Sequence, residues 1–231
     1  MVPIFVEQIS IKFEIKDIFT MSMVKGGRDS WDESKELIVS TAAQLFARYG
    51  FKKTTLDDIS QAVRKGKSSI YYYFENKESI FEAVVEQEVE QLREALRKSM
   101  NNTNSPKNKL GLYIITRMRV IKKLANFWSI KTNDEYPGLV FVERMRQKYD
   151  MEEIGYLADI LEEGMVHGYF RIQKPRLSAI AIAMAMKGLE APLFLEGVEE
   201  NEQDVHIEEL IEILFNGLLV RTPKESPTNG D

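Results

Sequence analysis

Residues 54–80, T-T-L-D-D-I-S-Q-A-V-R-K-G-K-S-S-I-Y-Y-Y-F-E-N-K-E-S-I, decide how this chain is read. Thr55 followed by Asp58 is a capping-box pattern, and it opens a short helix whose buried stripe is Leu56, Ile59 and Val63. A basic turn follows at Arg64, Lys65 and Gly66, and a second short helix runs to about Phe74. Two short helices joined by a tight turn form a helix-turn-helix, and its second helix has the dimensions of a DNA major groove. Between Ser60 and Phe74 there are three basic residues, Arg64, Lys65 and Lys67, and no acidic one, so the segment carries +3. The whole chain has 31 basic and 36 acidic residues, a net −5. A local positive face on an acidic protein is how nucleic-acid binding coexists with a low isoelectric point.

The second helix can be drawn at about 100° per residue. Ile70 and Phe74 then point the same way, with Tyr71 close to that side, and these are the predicted inward positions. Ser68, Ser69, Tyr72 and Tyr73 group opposite, where short hydroxyls allow close approach to a duplex and phenols reach phosphates. Lys67 lies near the helix start, within reach of the same backbone. Thr55 offers a hydroxyl at the preceding cap. Consecutive aromatics are more often bundle core. Here they encircle one short helix, so some must be exposed, and exposed tyrosines beside lysines call for a polyanion.

Working outward, Ser30 with Glu33 three residues later predicts another helix start, and Gly50 its end. Leu37, Ile38, Ala42, Leu45 and Phe46 supply the apolar face between them. A long helix is predicted from Asn76 to about Met100, then a loop at 101–109. Further helices are predicted at 110–127, 137–148, 151–167, 177–195 and 205–220, with Pro192 expected to kink or end the fourth of these. The fold class is all-α: an N-terminal three-helix helix-turn-helix domain plus a larger helical effector-binding and dimerisation domain. The expected division is 1–29 a flexible extension, 30–75 the DNA-binding domain with its helix-turn-helix at 55–74, 76–221 the ligand-binding and dimerisation domain, and 222–231 a disordered tail. Within the extension, Ile9, Ile11, Phe13 and Ile15 alternate with polar residues as a strand would, yet no partner strand is visible. A start at Met21 or Met23, or an arm pairing with its own copy in a dimer, are the alternative readings of that segment.

Composition narrows the chemistry. Cysteine is absent, which excludes disulfides and thiolate sites, and the histidines are His167 and His206 alone, which excludes a multi-histidine metal centre. Neither a metal nor a cofactor is expected. No run approaches the roughly 20 apolar residues of a membrane span, and no signal-peptide pattern opens the chain, so a cytoplasmic location is expected. Glu163 and His167 stand at helical i, i+4 spacing and offer the weak alternative of a helical enzyme. A lone pair of this kind is more often a surface ion pair.

Gly50-Phe51, Thr54-Thr55, the step from Ile59 to Ala62, and S-I-Y-Y-Y-F-E-N-K-E at 69–78 resemble the TetR family of bacterial transcriptional regulators. A weaker likeness lies in Glu163-Gly164 through Gly168-Tyr169-Phe170-Arg171, similar to a G-x-x-x-G-x-F-R turn of the family's regulatory domain. Where members commonly carry A-G-V-S in the turn, this chain has Val63, Arg64, Lys65 and Gly66, so the glycine is displaced. The resemblance implies DNA contact by Thr55, Lys67, Ser68, Ser69, Tyr72, Tyr73 and Lys77. It implies a homodimer through helices at about 177–195 and 205–220, acting on double-stranded DNA with a near-palindromic operator and released by a small effector. The first of these helices is rich in alanine, and the second carries Ile207, Leu210, Ile211, Leu214 and Leu218. Candidate lining for an apolar or aromatic effector is Tyr113, Met118, Phe127, Trp128, Phe141, Met145, Met165 and Phe170. A helix-turn-helix regulator without any small effector is the remaining alternative.

Overall fold

A computed structural model of the chain describes residues 30–121, 123–132, 140–193, 207, 209, 211–213 and 215, as helices joined by turns. The predicted extension, its strand pattern and the C-terminal tail lie outside the described residues, as does most of the predicted last helix. In chain order the helices are α1 (Ser30–Tyr49), α2 (Leu56–Ala62), α3 (Lys67–Tyr73), α4 (Lys77–Met100), α5 (Pro106–Ile121), α6 (Ala125–Thr132), α7 (Val140–Val166) and α8 (Pro175–Leu193). They fall into two compact units, residues 1–101 with 116–150, and residues 102–115 with 151–231.

In the first unit, α1 buries Ile38, Val39, Ala42 and Phe46 at helical steps. Leu37, expected in that stripe, is 46% exposed, so the buried face is rotated away from it. Gly50 ends α1 in the left-handed conformation at φ 82, and its N–H donates to the Phe46 carbonyl at 2.8 Å. Phe46, Phe51 and Phe81 then meet with ring centres 4.9–5.7 Å apart, and Phe141 of α7 joins them 5.4 Å from Phe51. This aromatic cluster ties α1 and the following turn to α4. The start of α4 is closed by a capping box in which Asn76 accepts from the Ser79 N–H at 2.7 Å.

Three predicted boundaries are corrected. Helix α5 begins at Pro106, inside the expected loop at 101–109, because proline at a first helical position starts a helix as readily as it breaks one. The predicted helix at 110–127 is two: α5 tightens at its end, where Lys123 and Leu124 donate to carbonyls three residues back, and α6 restarts at Ala125. The partner that lets α6 restart is a carboxylate far off in sequence, Glu88 of α4, which accepts from the Phe127 N–H at 2.7 Å. Helices expected at 137–148 and 151–167 are one continuous helix, α7, since nothing between Lys148 and Met151 breaks a helix.

In the second unit, Leu110, Tyr113 and Ile114 of α5, Leu157 and Leu161 of α7, and Ala179, Ile182 and Met186 of α8 are buried. The turn from α7 to α8 accounts for the glycine motif. Gly168 takes φ 74, and the Tyr169 and Phe170 N–H groups donate to the Gly164 carbonyl at 2.8 and 3.1 Å. A Cβ on Gly164 would sit 2.1 Å from Cδ2 of Phe170, so the missing side chain makes room for that ring.

Candidate nucleic-acid interface

Helix α2 positions everything that follows it. Asp58 accepts from the Thr55 N–H at 2.8 Å and from the Thr55 hydroxyl at 2.7 Å, while the Thr55 Oγ1 accepts from the Asp58 N–H at 3.2 Å. The reciprocal bonds hold the Asp58 carboxyl below its ordinary range. They also commit the one proton of the Thr55 hydroxyl to Asp58. Ile59 and Val63 are buried beneath α2, whereas Leu56 is half-buried.

Helix α3 is seated by Ile70, fully buried, and by Phe74, which caps it in extended conformation. Tyr72 is 71% exposed and stands edge-on to the half-buried Tyr73, ring centres 5.0 Å apart. Lys67 and Ser68 are exposed and Ser69 is half-buried. Tyr71 differs from expectation: it is 51% exposed, on the outside. The mean direction of Ile70 and Phe74 lies about 80° from both Tyr71 and Tyr73 on a helical wheel, so periodicity could not choose between them. Phe74 leaves the helix, and Tyr73 is the one turned partly inward. The wheel therefore placed Tyr72 and Phe74 as found, while Tyr71 lies outside and Tyr73 is half-buried, the reverse of their expected order.

The charges of this face are already engaged with the domain. Lys67 donates to Asp57 of α2 at 3.0 Å, and the hydrogen bond and charge of that carboxylate raise the lysine's pKa. Both side chains are exposed, so the pair is weak and easily exchanged for a phosphate. Lys65 donates to the Ser34 hydroxyl of α1 at 3.1 Å. Lys77 is turned toward the protein: its ammonium donates to the Phe51 and Thr54 carbonyls at 2.8 and 2.9 Å and lies 4.3 Å over the Phe51 ring. Burial lowers its pKa. Those bonds occupy two of its three donors, so Lys77 fastens the start of α4 to the turn after α1.

Sequence reasoning missed a buried polar joint in the same unit. The Asn126 side-chain amide donates to the Glu88 carboxylate at 2.7 Å and to the Ala43 carbonyl of α1 at 3.2 Å. Asn126 thereby links Glu88 of α4, at the start of α6, to α1. Burial raises the Glu88 carboxyl above its usual range, against the hydrogen bonds from Phe127 and Asn126. No local signal marks either residue, because the bonds span 38 and 83 positions.

The expected pocket-lining residues divide between the units. Met118, Phe127 and Met145 are buried in the first, where Phe141 belongs to the aromatic cluster. Tyr113, Met165 and Phe170 are in the second, Tyr113 stacked on Tyr156 at 5.5 Å and Phe170 packed over Gly164. The side chain of Trp128 lies outside the described residues. The enzyme alternative finds no assembled pair. The Glu163 carboxylate is held by Lys109 at 2.7 and 2.8 Å, and the His167 ring meets the Glu163 backbone carbonyl instead. Among the described residues no group of three or more potential metal ligands comes together. None of their helices is long and apolar enough to cross a membrane.

Comparison with known proteins agrees with this geometry. Residues 38–84 match the family described as bacterial regulatory proteins, tetR family. An HTH-type transcriptional regulator of Bacillus subtilis, YhgD, is 25% identical over 65% of this chain and 78% of its own length. IcaR of Staphylococcus epidermidis, named as the negative transcriptional regulator of a biofilm operon, is 46% identical over 52 residues. That alignment spans 22% of this chain and 28% of IcaR. A transcriptional regulator from Cytophaga hutchinsonii shares the fold, with a TM-score of 0.63 at 24% identity over 80% of this chain and 98% of its own. Residues 38–84 thus carry the N-terminal domain of the TetR family of transcriptional regulators.

Proposed function

We propose that this protein is a homodimeric, sequence-specific DNA-binding repressor that a small apolar or aromatic molecule releases from a near-palindromic operator. The observation that carries the proposal is the orientation of α3. Ile70 and Phe74 anchor it, while Lys67, Ser68 and Tyr72 are exposed on its outer side, Ser69 and Tyr73 are half-buried, and Thr55 is exposed at the adjacent cap. Lys77 belongs with them as a phosphate contact only through the donor its two carbonyl bonds leave over, and its larger part is to position the site. Repression follows the role that names the staphylococcal relative, a negative transcriptional regulator.

The dimer reading is supported by α8. Opposite its buried residues, Leu177, Ala181, Met184 and Gly188 are exposed at four-, three- and four-residue steps, Leu177 by 59% and Met184 by 68%. That spacing is the seam of a helix that packs against another, and a Cβ on Gly188 would meet nothing within 4 Å. Release by an effector requires it to bind one conformer better than the other, ordinarily by about 1–3 kcal/mol. The joint at Glu88, Asn126 and Ala43 is a route by which a shift of α6 reaches α1. Among the proposed lining residues, Phe127 sits directly on this joint through its N–H bond to Glu88.

Footprinting on the DNA flanking the protein's own gene tests the proposal. The expected result is protection of two inverted half-sites about 34–36 Å apart or a multiple of that. A purified dimer that protects no site and binds no duplex would refute it.

A further inference from the structure

The turn between α2 and α3 closes α2 by two bonds. The Lys65 N–H donates to the Ser60 carbonyl at 3.0 Å, and the Arg64 N–H to the Gln61 carbonyl at 3.1 Å. This pairing requires a left-handed residue just past the helix end, a position at which glycine is at home. Arg64 occupies it at φ 54, the one non-glycine residue with positive φ among the described residues. Two residues later Gly66 stands at φ −65 and ψ 151, extended backbone that any residue adopts. A Cβ there would meet only the Ser68 Oγ at 3.6 Å, an ordinary contact. The turn thus keeps a side chain where glycine would relax the backbone, and a glycine where a side chain would fit. Folding alone favours the reverse arrangement.

We propose that Arg64 is a further DNA-contacting residue, its guanidinium anchored on a backbone phosphate beside the groove that α3 enters. Strain kept at an exposed position points to a demand on the side chain, and Arg64 is exposed within the segment whose charge is +3. A guanidinium is permanently charged and presents a planar fork that matches phosphate oxygens. Gly66, bare between Arg64 and α3, leaves the backbone open to the close approach such a contact needs. The contact fixes the protein on the duplex and carries no sequence information. It would add to the α3 contacts an anchor on the opposite side of Gly66.

The inference rests on the reading of α3 as the DNA face, and phosphate anchoring can be measured without knowing the operator. The full-length wild type, Arg64→Gly and Arg64→Lys are titrated into a labelled duplex of random sequence, about 40 base pairs long, at several salt concentrations. Arg64→Gly is expected to bind about fivefold more weakly at 0.15 M salt, with a log–log salt slope shallower by about 0.9 per engaged protomer. Its melting temperature stays at or above the wild-type value, because the substitution relieves the turn. Arg64→Lys keeps the wild-type slope. Wild-type affinity and slope in Arg64→Gly overturn the inference while leaving the DNA reading intact. No salt-dependent binding by the wild type overturns both.

Discussion

Two turns of this chain use the left-handed backbone differently. Between α7 and α8, Gly168 holds φ 74 and Gly164 yields its side-chain space to Phe170. Between α2 and α3, Arg64 holds φ 54 and the nearby glycine stands in ordinary extended backbone. The first turn is made as packing alone would make it. The second departs from that rule at an exposed, basic position three residues before α3 begins. A turn built only for folding and one answering to a ligand can therefore be told apart by which residue occupies the strained position.

The contrast can be broken from either side. Phe170→Ala removes the ring that covers Gly164 and is expected to destabilise the protein by about 3–5 kcal/mol, read from denaturant unfolding. Gly168→Ala forces a side chain into the left-handed region, a loss of about 1 kcal/mol after the gain from a stiffer unfolded chain. Arg64→Gly runs the opposite way: relief of about 1–2 kcal/mol is offset by glycine's unfolded-state freedom, for a net gain of up to about 1 kcal/mol. Losses of equal size at Arg64 and Gly168 would erase the distinction between the turns.

A smaller effect separates two carboxylates on α4. Burial pushes Glu86 up, but hydrogen bonds from Lys148, Arg93 and Tyr149, with the charge of Lys148, outweigh it and hold the carboxyl at about 2. Its folded-state value lies below the unfolded one, so its stabilisation is present above about pH 4.5 and disappears as pH falls toward 2. Because the group is partly exposed, Glu86→Gln is expected to lose no more than about 1 kcal/mol at neutral pH. Thermal melts should converge with wild type in acid. Glu88 is raised by burial, so its ionised form opposes folding and stability falls as pH rises through its folded-state value.

The helix-turn-helix was legible in the sequence because its determinants are local. Thr55 and Asp58 are three residues apart, and Ile70 and Phe74 one turn apart. The outcome at Tyr71 was not, since the wheel is symmetric about the buried pair and the extended Phe74 broke the tie. The boundary between α5 and α6 was hidden for another reason: its cap is Glu88, distant in sequence and close only after folding. Lys77 shows the same limit. Its motif position implies a phosphate, yet the carbonyls of Phe51 and Thr54 take two of its donors. What fell beyond the sequence was set by partners that only the tertiary structure supplies.

The most direct measurement is the affinity of Tyr72→Ala and Lys67→Ala for the footprinted operator, alongside their melting temperatures. Both residues are exposed, so wild-type melting with binding weakened about tenfold, or roughly 1.4 kcal/mol, is the expected result. Wild-type affinity in both variants would contradict the assignment of the outer side of α3 to DNA.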